Sequence, residues 1–90
     1  MKSDYPISDA DETMALRLVG WIFSDAGRID RMLGLTGLDA ASLRAGLTDL
    51  TTLGALMDFV LDHEPDLLAC AEALDVRPAE IAAARARIAG

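Results

Sequence analysis

The sequence predicts an all-α fold: a compact bundle of five to six short helices, compatible with two pseudo-repeated three-helix halves. Three observations point there. Between Leu50 and Asp62, the residues Leu53, Leu56, Met57, Val60 and Leu61 recur at i, i+3, i+4, i+7 and i+8. That is the apolar stripe of one helix face, and Thr51, Thr52, Asp58 and Asp62 stay off it. Alanine and leucine, both strong helix formers, outweigh β-branched residues in a chain that is 52% hydrophobic but only 4% aromatic, so the core must be aliphatic. Glycine, proline and aspartate fall between the apolar segments, where helices are capped or stopped.

Taken in order, residues 1–8 read as a flexible tail, with Pro6 opposing early helix, and residues 9–90 as one helical domain. Ser8 and Asp9 are candidate N-caps for a first helix that runs to about Phe23. Asp9 followed by Glu12 has the spacing of a capping box, and Asp11 and Glu12 suit the positive end of the helix dipole. Ser24 or Asp25 caps a second helix, Ala26 to about Leu35, with Ile29, Met32 and Leu33 inward. Gly27 weakens its first turn and Gly37 is a good C-terminal stop. Asp39 caps a short third helix, Ala40 to about Ala45, with Ala40 and Leu43 inward and Gly46 ending it. Thr48 or Asp49 caps the central helix. Asp62 to Pro65 breaks the pattern, because the residue before a proline disfavours helix. A fifth helix carries Leu67, Cys70, Ala71 and Leu74 on one stripe. After a turn at Asp75-Val76-Arg77, Pro78 opens a sixth, with Glu80 in its first turn and Ile81, Ala84 and Ile88 inward. Arg85 and Arg87 complement its negative end.

Displacing the chain by 38 residues sets the halves 9–46 and 47–90 against each other, as Ala15 on Leu53 shows. Leu18, Val19, Ile22 and Phe23 then fall on Leu56, Met57, Val60 and Leu61, Trp21 on Phe59, and Leu43 on Ile81. Trp21 and Phe59 both lie more than a quarter-turn off their helix's stripe. Two arrangements follow: the first and fourth helices are packed on more than one side, or these aromatics meet solvent and anchor a partner.

Ninety residues make one domain, which buries roughly 60–65% of its unfolded surface and can build a core without metal or disulfide. A net charge of -7 opposes binding to nucleic acid or to an anionic membrane surface, both of which need clustered Lys and Arg. The single cysteine, Cys70, has no intramolecular partner, which fits a reducing compartment. The residues from Met1 to Ser8 hold no apolar signal core, and Leu16 to Phe23 is far too short to span a bilayer. The expected location is the cytoplasm.

Candidate chemistry is sparse. His63 and Cys70 are one ligand of each kind where a structural zinc site needs four, and no third group orients them as a nucleophile pair. Asp58, Asp62, Glu64 and Asp66 cluster at the junction of the fourth and fifth helices without the spacing of a calcium loop. They read first as caps and solvated charge, then as a face for a basic partner. The glycines form no phosphate-binding loop; Gly20 and Gly54 suggest close helix contact. Arg28, Arg31 and Arg44 form a small basic patch beside Asp25 and Asp30, read as a salt-bridged surface.

The segment Met32-Leu33-Gly34-Leu35-Thr36-Gly37-Leu38-Asp39, followed by Leu43-Arg44, resembles the middle of a small bacterial family defined only as domain of unknown function 3572. Asp58-Phe59-Val60-Leu61, then Glu64, Leu67-Leu68 and Cys70, resembles its second half, and the likeness runs from Leu16 to Ile88. Ala40 stands where the family often has a proline after the Leu-Asp pair. The resemblance implies a short helical cytoplasmic protein and carries no activity, cofactor or catalytic residue. The expected function is therefore a non-catalytic protein-interaction module or adaptor, with Trp21, Phe59, Asp58 and Asp62 as its candidate interface. Its partner is another protein, with weak self-association as a further expectation; no cofactor, nucleic acid or membrane is expected. The alternative is a helical domain that binds a small molecule in an interior pocket or assists an enzyme.

Overall fold

A computed structural model describes residues 9–46 and 49–88. The tail expected over residues 1–8 and the candidate caps Ser8 and Thr48 lie outside the described residues. Six helices follow one another: α1 Asp9–Phe23, α2 Ala26–Thr36, α3 Ala40–Ala45, α4 Leu50–Leu61, α5 Glu64–Leu74 and α6 Pro78–Arg87. No strand occurs among the described residues. The radius of gyration is 12.5 Å, close to the roughly 12 Å of a compact chain of this length.

The helix ends have local causes. Asp25 accepts from the Arg28 backbone N–H (3.0 Å), Asp39 from Ser42 (2.7 Å) and Asp49 from Thr51 (3.1 Å), each satisfying an orphan donor of the first turn. Gly37 closes α2 at φ 75, and its N–H returns to Leu33 O. Glu80 reaches back to the Arg77 N–H at 2.7 Å, one half of a capping box. Two boundaries differ from the sequence expectation. Asp9, the first described residue, is already helical and so is not the cap of α1. Pro65 lies inside the first turn of α5, where its missing N–H costs nothing, so the break between α4 and α5 narrows to Asp62 and His63.

α1 and α4 form the centre, and each packs against the other and against α2, α5 and α6. Leu18, Ile22, Leu53, Leu56, Met57 and Val60 are sealed from solvent along their stripes. Met32 of α2, Leu43 of α3, Cys70 of α5 and Ile81 of α6 close the remaining sides. Phe23, expected on the α1 stripe, is instead exposed, because that stripe ends at Ile22.

The displacement by 38 survives at the level of elements. Phe23 and Leu61 end their helices, Ala26 and Glu64 begin the next, Thr36 and Leu74 end those, and Ala40 and Pro78 begin the third of each half. Gly37 and Asp75 are the two equivalent left-handed residues, at φ 75 and φ 59. Ala15 with Leu53, Leu18 with Leu56, Met32 with Cys70 and Leu43 with Ile81 are buried as pairs.

Arginine side chains tie the helices together. Arg87 of α6 forks onto Asp11 of α1 (2.8 and 2.9 Å), and Arg85 of α6 onto Asp58 of α4 (2.9 and 3.1 Å). Arg31 of α2 forks onto Asp66 of α5 at 2.8 and 3.1 Å, and Arg17 of α1 donates to Leu74 O at the end of α5 at 2.6 Å. Arg85 also caps the end of α6 through Ile88 O (3.0 Å), as expected, whereas Arg87 serves α1 and not its own helix end. Gly54 is buried because the Arg85 guanidinium lies on it: a Cβ there would sit 3.0 Å from that group. Gly20, by contrast, faces open space and mediates no close helix contact.

Candidate functional site

The off-stripe aromatics are both covered by α2. Arg28 stacks over the Trp21 ring at 3.8 Å and donates to Trp21 O at 2.8 Å and Ser24 Oγ at 3.0 Å. Arg31, one turn further along α2, lies over the Phe59 ring at 5.7 Å. Trp21 keeps 8% of its surface exposed and Phe59 6%. The first of the two arrangements therefore applies: α1 and α4 are packed on more than one side, with α2 as the second neighbour of both.

Cover over Phe59 stops short of complete. Beside Arg31, α2 and α4 diverge into an open groove of about 570 Å³. Arg31, Leu35 and Thr36 form its α2 wall; Ala55, Asp58, Phe59 and Asp62 form its α4 wall, and His63 closes one end. Three of the four candidate interface residues, Phe59, Asp58 and Asp62, are thus brought together, while Trp21 lies apart beneath Arg28. Leu35 is the residue that sequence reasoning missed. It is 76% exposed, the most exposed large hydrophobic side chain among the described residues. Its signal was present: Leu35 sits about 120° from the Ile29-Met32-Leu33 stripe at 100° per residue.

The charges around the groove are mostly spent within the fold. Asp66 is buried at the groove's His63 end, bonded by Arg31 and lying 3.1 Å from His63 Nδ1. The Arg31 guanidinium holds the Asp66 carboxyl below the usual carboxylate range, against the opposing effect of burial, and His63 adds to the lowering. Arg31's acid is therefore Asp66, across the bundle, and not its sequence neighbours Asp25 and Asp30. Asp66 is likewise no solvated member of an acidic cluster. Asp58 is engaged by Arg85. Asp62, exposed at the C-terminal cap of α4, has no ion pair among the described residues.

Cys70 is 0% exposed inside the bundle, and burial pushes its thiol up to about 11, so it presents no thiolate near neutrality. Among the described residues, no group of three or more His, Cys, Asp or Glu could hold a metal ion. No helix among them is long and apolar enough to cross a membrane.

A family model described as "Protein of unknown function (DUF3572)" matches residues 8–90. The chain belongs to this family. The match takes in all six helices of the DUF3572 chain and every residue of its groove, from Arg31 to His63. No curated protein and no solved structure matches it.

Proposed function

We propose that this chain is a small non-catalytic protein-interaction module that docks a partner in the groove between α2 and α4. One observation carries the reading: Leu35, 76% exposed, lies on the α2 side of an open groove whose α4 side is lined by Ala55 and the edge of Phe59. An exposed leucine costs little by itself. An exposed leucine on the wall of an open groove gives a partner's apolar side chain a surface to desolvate, which is how interface anchors gain their energy. The alternative, a small-molecule site, draws support from the groove's volume of about 570 Å³, within the range of ligand pockets. Its open form favours the first reading, since small ligands bind where most of their surface is enclosed.

The test is affinity capture from the native host with wild-type protein, Leu35→Glu and Leu68→Glu. Leu68 is also exposed, at 53%, but lies outside the groove. A protein retained by wild type and Leu68→Glu but lost with Leu35→Glu is the expected result. Equal retention by both variants, or no enriched protein, contradicts the reading.

A further inference from the structure

We infer that the occupant of the α2–α4 groove is an amphipathic helix of a partner protein, carrying an apolar anchor and a lysine or arginine one helical turn away. This rests on the groove reading above and adds the partner's chemistry. The charge count of the groove decides it. Arg31 is matched by Asp66 and Asp58 by Arg85, so these pairs cancel. What remains is the Asp62 carboxylate, at the end of the 12-residue helix α4. That carboxylate is exposed, and the molecule's net charge of -7 favours the approach of a cationic segment.

The spacing of the two features sets that of the partner. Phe59 of α4 and Asp62, its C-cap, are three residues apart, about one turn or roughly 5 Å along the axis. A ligand helix whose anchor seats between Leu35 and Phe59 reaches Asp62 with a residue three or four positions away, the neighbours on one helix face. A second copy of this chain is the poorer occupant, because it brings another seven negative charges to the contact.

The inference is tested with two synthetic helical peptides of identical leucine pattern, one bearing lysine four residues after each leucine and one bearing glutamate there. Each is titrated into the full ¹⁵N-labelled chain, and into Asp62→Asn and Leu35→Glu variants whose helicity is checked by circular dichroism. The lysine peptide is expected to shift the amide signals of Leu35, Ala55, Phe59 and Asp62 together and to bind about threefold more weakly to Asp62→Asn, the size of one exposed ion pair. The glutamate peptide is expected to leave those signals in place. If both peptides shift the groove signals equally, or Asp62→Asn binds unchanged, the cationic partner is overturned while the groove survives. If shifts scatter over other acidic surfaces, or Leu35→Glu binds as wild type, the groove reading falls as well. Concentration-dependent dimerisation through the same signals without peptide overturns the inference in favour of a second copy.

Discussion

Asp66 shows how much of this fold rests on single polar contacts. Its carboxylate is buried, takes a two-pronged bond from Arg31 and lies within hydrogen-bond reach of His63, so its charged form is strongly preferred in the native state. A carboxyl whose native pKa is depressed adds stability that is present above its unfolded value of about 3.9 and lost as pH falls through the native value. Asp66→Asn removes that contribution and the charged acceptor of Arg31's two-pronged bond. Urea unfolding is expected to show the variant less stable than wild type at pH 7, with the gap narrowing below about pH 4. A gap that is constant across that range would contradict the assignment. The pair was not legible in the sequence: Arg31 and Asp66 are 35 residues apart, and no local pattern links them. The same holds for Arg87 and Asp11, 76 apart. Sequence proximity assigned these cations to their own helices, whereas the packing hands them to others.

At the scale of elements, the reading from sequence was close, because helix ends are decided by a few adjacent residues. The caps at Asp25, Asp39 and Asp49 and the stop at Gly37 depend on neighbours within three or four positions. Pro65 was misjudged since the rule against helix before proline weakens in the first turn, where no intrahelical N–H bond is lost. The two halves use one device twice, a left-handed residue after the second helix, filled by Gly37 in one and Asp75 in the other. A side chain in that conformation is strained by roughly 1–2 kcal/mol, less for aspartate than for most residues. Gly37→Ala should therefore lower the unfolding free energy by about 1 kcal/mol. Asp75→Gly should leave it unchanged or raise it by up to about 1 kcal/mol. Chemical denaturation measures both, and a destabilised Asp75→Gly would argue that its side chain has a role beyond the turn.

Across the described molecule, two apolar central helices are both covered by α2, α5 and α6, and the groove opens where α2 meets α4. The pattern of off-stripe aromatics signalled that α1 and α4 have more than one neighbour. It left open which neighbour, since that depends on how α2 crosses both. With Arg28 stacked on it and 8% exposure, Trp21 is expected to emit at short wavelength and resist iodide quenching, independent of protein concentration. A long-wavelength emission that shortens as concentration rises would mean that Trp21 is covered by another copy and not by α2. The groove itself was half legible. Phe59, Asp58 and Asp62 stood out as an aromatic beside acids on one helix, but the opposite wall, Leu35 above all, belongs to α2 and required the packing. The account's central claim is that this wall meets a partner. A photo-reactive residue placed at position 35 and, separately, at position 68, irradiated in the native host, tests it most directly. A discrete protein adduct from position 35 and none from position 68 is the predicted result; no adduct at position 35, or the same adducts from both, would contradict it.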